Sequence, residues 1–141
     1  MTTNNPRIAI LGAGVSGICM AIKLKEAGFT NLVIYEKADR VGGTWRENTY
    51  PGVSCDVPTH LYSFSFAQKF DWPKLYSGGA EIQAYLEDVS EKSGSIPLGQ
   101  FHSEMTGATY QNDEWIVSIT DASGKNKQEK GDNYYTLYYY C

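Results

Sequence analysis

The 141-residue sequence is poor in cysteine and has no long apolar run. Its three cysteines, Cys19, Cys55 and Cys141, are widely spaced and odd in number, which excludes a disulfide framework and a Cys-x-x-Cys metal site. No apolar run approaches the roughly 20 residues of a membrane-spanning helix. The polar residues 1–7 lack the charged and apolar regions of a signal peptide. We therefore expect a cytoplasmic protein without a metal site or membrane association.

The sequence also lacks an excess of positive charge and a pattern of nucleophilic residues. Twelve lysines and arginines stand against 16 aspartates and glutamates, so the net charge of −4 gives no electrostatic footprint for nucleic acid. The two histidines, His60 and His102, are not part of a serine or cysteine nucleophile pattern. The sequence thus predicts no nucleic-acid partner and indicates no catalytic residue.

What the sequence does contain is a glycine-rich turn between an apolar run and a helix-like segment. Gly12, Gly14 and Gly17 form a G-x-G-x-x-G directly after the strand-like residues 7–11, which is the context of a dinucleotide site. Gly12 permits a tight turn, Gly14 lets the backbone approach a pyrophosphate, and Gly17 lets helix and strand pack closely. The helix N-terminus then offers free N–H groups to the phosphates.

A second strand that ends in an acid makes this motif more specific. The apolar run Leu32–Tyr35 is followed by Glu36, whose carboxylate can accept hydrogen bonds from both ribose hydroxyls of an adenosine. The same carboxylate would repel a 2′-phosphate. We also expect three further residues near the nucleotide: Ala13 and Ser16 within the turn, and Lys37 after the acid.

The order of elements predicts an α/β fold. A helix over residues 15–27, between strands at 7–11 and Leu32–Tyr35, forms a right-handed βαβ unit with parallel strands. Apolar residues at helical spacing predict a second helix over 80–93. Strand-like residues 101–110 and 114–120 around Asn112-Asp113 predict a hairpin. The expected fold is a Rossmann-like FAD/NAD(P)-binding domain, in which a parallel sheet with helices is joined by a small antiparallel hairpin sheet.

The segment 39–58 is rich in turn formers and is typical of a functional loop. It holds Gly-Gly-Thr-Trp at 42–45, Tyr-Pro-Gly at 50–52 and Cys-Asp at 55–56, and Tyr-Ser-Phe-Ser-Phe follows at 62–66. Together with the glycine turn, this order resembles the N-terminal FAD-binding part of the class B flavoprotein monooxygenases. That class contains the flavin-containing and the Baeyer–Villiger monooxygenases, and the motifs here are more similar to the Baeyer–Villiger type.

The resemblance implies FAD as cofactor, NADPH as the family's reductant and a small organic molecule as substrate. It also implies roles for individual residues: a cation at Arg40 near the pyrophosphate, close backbone approach at Gly43, and a flavin-side lining from Thr44, Trp45, Asp56 and Tyr62. The residue at Met105 would offer its backbone to the adenine. Core packing of Trp45 and Tyr62, a turn-capping role for Asp56 and a plain strand role for Met105 stay open.

The domain organisation follows from where the resemblance fades. We expect an incomplete, truncated FAD-binding domain over residues 1–124 and an atypical tyrosine-rich tail over 125–141, in which residues 133–137 mimic the family's returning strand or belong to an aberrant terminus. A second G-x-G-x-x-G for NADPH is absent from the sequence. The expected function is therefore the FAD-binding portion of a flavin monooxygenase, inactive alone. The alternatives are a non-catalytic product without a tight ligand and a small NAD-dependent reductase, since Glu36 also suits the ribose of NAD.

Overall fold

The computed structural model describes residues 5–131 and the backbone of residues 133–136. The elements follow in the order β1 (Ile8–Leu11), α1 (Val15–Glu26), β2 (Leu32–Tyr35), α2 (Thr44–Glu47), α3 (Gly79–Lys92), a 3-10 turn (Ile96–Leu98), β3 (Gly99–Gln100), β4 (Ser103–Gln111), β5 (Glu114–Asp121), β6 (Asn126–Gly131) and β7 (Asn133–Thr136). Within these described residues, no helix is long and apolar enough to cross a membrane.

A parallel sheet lies at the centre of the fold. Its strand order is β3-β2-β1-β7, and Ile8 of β1 pairs with Leu32 of β2 on one side and with Asn133 of β7 on the other. Helix α1 connects β1 to β2, so the predicted parallel βαβ unit is confirmed. Strand β7 pairs in parallel with β1, as a returning strand would, within the residues 133–137 for which a returning strand was one of the expectations.

Helices α1 and α3 contribute to one core cluster with the parallel sheet. The face predicted for α3 is confirmed, because Ile82, Tyr85, Leu86 and Val89 are all buried. They join buried residues of β1, α1 and β2 in one hydrophobic cluster. Strands β1 and β2 read as nearly continuous apolar runs because a parallel sheet is covered on both faces.

The antiparallel sheet, in the order β4-β5-β6, forms a second core cluster with the parallel sheet. Val117 and Ile119 of β5 are fully buried and pack with Ala9 and Tyr35. The predicted hairpin is confirmed: Asn112 and Asp113 have φ values of 52° and 61° between β4 and β5. Two successive positive φ angles are typical of a type I′ turn, whose twist matches that of the paired strands.

Four elements, α2, the 3-10 turn, β3 and β6, were not predicted from the sequence. Strand β6 reads Asn-Lys-Gln-Glu-Lys-Gly and is largely exposed, so it has no apolar periodicity to detect. It pairs with β5 at the sheet edge, where charged residues prevent further strand addition. The division of the chain at residue 124 stays a prediction, and residues 137–141 of the expected tail lie outside the described residues.

Glu129 of β6 connects the antiparallel sheet to the parallel sheet. Its carboxylate accepts a hydrogen bond of 2.6 Å from the Tyr35 hydroxyl of β2, and it forms ion pairs with Arg7 and with Lys127. Burial raises the pKa of Glu129, but the hydrogen bonds from Lys127 and Tyr35, with the charges of Lys127 and Arg7, outweigh burial and lower the pKa overall. The ionised carboxylate therefore stabilises the contact between the sheets.

The stability contributed by Glu129 is expected to depend on pH. Because its pKa is lowered in the folded protein, the contribution is fully present above the ordinary glutamate pKa of about 4.3 and is lost as pH falls through the lower folded value. We expect Glu129→Gln to cost about 1–2 kcal/mol at pH 7, measured by urea unfolding, and less at acidic pH. An equal cost at every pH would contradict this assignment. Glu104→Gln, at an exposed position of β4, serves as the control.

Candidate cofactor site

A cavity of about 360 Å³ opens at the carboxyl ends of β1 and β2, where open α/β sheets bind their ligands. Its lining combines the glycine turn, the end of β2, residues around α2 and the start of β4. Among the residues predicted from the sequence, the lining includes Gly12, Gly14, Ser16, Gly17, Glu36, Lys37, Gly43, Thr44, Tyr62 and Met105. Ala13, Arg40, Trp45 and Asp56 are not among the lining residues.

The glycine turn depends on the absence of side chains. Gly12 has a φ of 85°, and its N–H donates to the Tyr35 carbonyl at 2.8 Å, which joins the turn to the end of β2. A Cβ on Gly17 would lie 1.9 Å from the Gly12 carbonyl oxygen, which confirms the close packing predicted for Gly17. A Cβ on Gly43 would lie 2.9 Å from the Gly14 Cα, so two glycine backbones meet at the wall of the cavity.

The N-terminus of α1 opens onto this cavity through Val15 and Ser16. Gly14 is its N-cap and provides no side-chain cap, and the first turn contains no acidic residue. The N–H groups of a helix start and the positive end of its dipole attract anions. This arrangement is suited to a phosphate or pyrophosphate group.

Glu36 lies at the end of β2 and is only 4% exposed, although it lines the cavity. Its Oε2 accepts a hydrogen bond of 2.8 Å from the Ala13 N–H, and its Oε1 accepts one of 2.9 Å from the Ala38 N–H. Ala13 is itself fully buried, so its part in the site is to orient this carboxylate. The backbone therefore holds the acid at a fixed place beside the glycine turn.

The arginine that lines the cavity is Arg46, whereas the Arg40 expected near the pyrophosphate is not among the lining residues. The Arg40 side chain is 60% exposed, and its Nε lies 3.7 Å from Glu87. Arg46 of α2 instead lines the cavity with a side chain that is 7% exposed, and its Nη1 lies 3.4 Å from Glu36 Oε1. Sequence reasoning missed Arg46 because the single turn of α2, which directs it toward Glu36, lies within a segment that reads as irregular.

Gln83 of α3 is a second residue that sequence reasoning missed. It is buried, and its Nε2 donates to the Val41 carbonyl at 2.8 Å, which fixes the loop before Gly42. A Cβ on Gly42 would lie 1.9 Å from Gln83 Oε1, so the loop passes directly against this side chain. The Gly42 N–H in turn donates to the Ala13 carbonyl at 2.8 Å. Helix α3 thereby positions the glycine pair next to the glycine turn.

The aromatic residues of the loop region form a pair. The Trp45 indole donates to the Tyr62 hydroxyl at 3.0 Å, and the two rings meet edge to face with centroids 5.6 Å apart. Trp45 packs against the core while Tyr62 also lines the cavity, so Trp45 supports Tyr62. Asp56 is exposed and lies outside the cavity lining, whereas the adjacent Cys55 is buried.

Comparisons with known proteins agree with this architecture. Residues 10–77 match the model of the NAD(P)-binding Rossmann-like domain. The chain is 45% identical to a Baeyer-Villiger monooxygenase of Streptomyces coelicolor over 118 residues, which cover 84% of this chain and 23% of that protein. It is 42% identical to an FAD-binding monooxygenase of Dothistroma septosporum, covering 82% of this chain and 19% of that protein.

Solved structures give the same result. The crystal structure of cyclohexanone monooxygenase from Rhodococcus sp. Phi1 bound to NADP+ superposes with a TM-score of 0.83 at 33% identity, covering 93% of this chain and 25% of that one. This chain has a Rossmann-like domain that is similar to part of these monooxygenases. The predicted fold class and the predicted resemblance to the N-terminal part of these monooxygenases are confirmed. The chain spans about a quarter of the length of the curated monooxygenases that it matches.

Proposed function

We propose that this chain forms the FAD-binding part of an NADPH-dependent flavin monooxygenase that oxygenates a small organic molecule. One observation carries the proposal: the cavity places a bare helix N-terminus, two touching glycine backbones and a fixed carboxylate side by side. These are the groups that a pyrophosphate and an adenosine ribose require. The similarity to Baeyer-Villiger and FAD-binding monooxygenases supports FAD as the dinucleotide.

The residues that line the cavity are chemically suited to this cofactor. The N–H groups at the start of α1 and the side chain of Ser16 would hold the pyrophosphate, Glu36 would accept the ribose hydroxyls, and the Met105 backbone would meet the adenine. Thr44 and Tyr62 would face the flavin end, with Trp45 behind Tyr62. When bound, FAD supplies the redox centre that takes electrons from NADPH and reacts with oxygen. The side chains described here bind and orient the cofactor, and none is proposed as a catalytic acid, base or nucleophile.

The remaining proposals concern the partners and the location. A small-molecule substrate and NADPH are proposed for the whole protein by analogy with its relatives, and no nucleic-acid partner is proposed because the net charge is −4. A cytoplasmic location is proposed from the cysteines, since Cys19 and Cys55 are free thiols within the described part of the chain.

The proposal is tested by adding FAD to the purified chain. We expect a bound flavin absorption spectrum and a melting temperature that rises with FAD concentration, because a ligand that binds only the folded state stabilises it. A folded chain that takes up no FAD would overturn the proposal and favour a product without a tight ligand. NADH is titrated in parallel, and tighter binding of NADH than of FAD would favour the small reductase instead.

A further inference from the structure

We propose that Arg46 is a positioning residue for nucleotide recognition, which holds the Glu36 carboxylate in the orientation that reads the ribose hydroxyls. The inference rests on the proposed function, because it concerns the adenosine end of the same site. It assigns to Arg46 a role that acts through Glu36. Arg46 therefore determines how well the site distinguishes nucleotides that have a 2′-hydroxyl from those that lack it.

Arg46 and Glu36 form a buried ion pair. Arg46 Nη1 lies 3.4 Å from Glu36 Oε1, and the two side chains are only 7% and 5% exposed. A buried carboxylate is costly unless it is paired and hydrogen-bonded. Arg46 supplies the opposite charge from α2, whereas the predicted cation, Arg40, has its side chain in solvent beside Glu87.

The guanidinium of Arg46 also donates hydrogen bonds to neighbouring protein groups. Nη1 donates to the Arg40 carbonyl at 2.6 Å, and Nη2 donates to Glu47 Oε1 at 2.9 Å. The guanidinium is thus fixed between the loop before Gly42, the end of α2 and Glu36. An almost buried guanidinium that is held by two protein acceptors and a carboxylate is suited to a positioning role.

The Glu36 carboxylate keeps acceptor positions that the protein does not occupy. A carboxylate has about four acceptor positions, two on each oxygen. The Ala13 N–H takes one on Oε2, and the Ala38 N–H takes one on Oε1. Arg46 contacts Oε1 as an ion pair at 3.4 Å and not as a further hydrogen-bond donor. Each oxygen therefore keeps a position for a ligand hydroxyl, which matches the two adjacent hydroxyls of a ribose.

The test compares ADP with 2′-deoxy-ADP by titration calorimetry on the full chain. We expect the unmodified chain to prefer ADP by about tenfold or more, since a hydrogen bond to a charged group is lost in the deoxy nucleotide. In Arg46→Met the preference for ADP should be lost, because the affinity for ADP, which has both hydroxyls, falls by more than the affinity for 2′-deoxy-ADP, which has only the 3′-hydroxyl. Arg46→Lys, which keeps the charge but not the planar fork, should restore part of the preference.

Two controls separate positioning from a general effect of charge. Arg40→Met makes the same substitution at the exposed arginine and should keep the preference for ADP. Glu36→Gln should lose the preference, and adding Arg46→Met to it should cause no further loss, because Arg46 acts through Glu36. If Arg46→Met does not fold, as judged by circular dichroism, Arg46→Gln replaces it with the same expected result.

The outcomes distinguish the inference from the proposed function. Equal losses of affinity for both nucleotides in the Arg46 variants, or an unmodified chain that binds FAD but does not prefer ADP, would overturn the inference alone. A folded, unmodified chain that binds neither FAD nor ADP would overturn the proposed function, and the inference with it.

Discussion

Gly17→Ala is expected to destabilise the domain by about 3 kcal/mol or more. The added Cβ would lie 1.9 Å from the Gly12 carbonyl oxygen, which is backbone and cannot move aside as a flexible side chain does. Relief of this clash requires α1 to separate from the end of β1, where the core is close-packed around Ile10 and Ile18. The free energy of unfolding, measured with urea, is the appropriate readout.

The matched control is Gly107→Ala in β4, where a Cβ meets no atom within 4 Å. This variant should keep the stability of the parent to within about 0.5 kcal/mol. If Gly17→Ala were as stable as Gly107→Ala, the glycine turn would be looser than the structure describes. The close packing of α1 on β1 would then be wrong.

Gly14→Val is expected to abolish FAD binding while most of the stability is kept. Gly14 has an extended backbone with φ −82° and ψ −170°, and a Cβ there would make an ordinary contact of 3.6 Å with the Gly43 Cα. The branched side chain would occupy the place where the pyrophosphate must approach the helix start. Loss of two charge-assisted hydrogen bonds, at about 1.5–3 kcal/mol each, lowers the affinity by roughly 100-fold or more.

Fluorescence titration with FAD and urea unfolding measure the two effects separately. Gly14→Ala provides a graded control, because its single methyl group fits against Gly43 and intrudes less into the cavity. An unchanged FAD affinity in Gly14→Val would show that this glycine serves only the fold. If Gly14→Val does not fold, the FAD titration is made on Gly14→Ala instead. An unchanged FAD affinity of Gly14→Ala would then also contradict the expectation.

The parts of the fold that sequence reasoning predicted are those whose signals are local. The βαβ unit follows from apolar runs and a glycine turn, and the hairpin follows from Asn112-Asp113, whose positive φ angles both residues tolerate. Strand β3 has two residues and β6 has no apolar face, so neither has a periodicity to detect. Their positions depend on pairing with strands that are distant in sequence.

The same distinction applies to the site. Glu36 was predicted because it directly follows a strand, and its side chain lies where that rule places it. Arg46 was missed because its orientation depends on α2, which begins after Gly43 at a point held by contact with Gly14. The role of Asp56 came from resemblance alone and stays a prediction, since its side chain is exposed outside the cavity lining.

The position of β1 between β2 and β7 has a consequence for how this chain folds. Ile8 pairs with Leu32, 24 positions away (32 − 8), and also with Asn133, 125 positions away (133 − 8). Closing the longer loop costs more chain entropy and slows the pairing of distant strands. One edge of β1 is therefore expected to stay unpaired until late in folding. During that time its unpaired backbone groups offer a template for strands of other chains. We therefore expect aggregation during refolding to increase when the pairing of β7 with β1 is slowed.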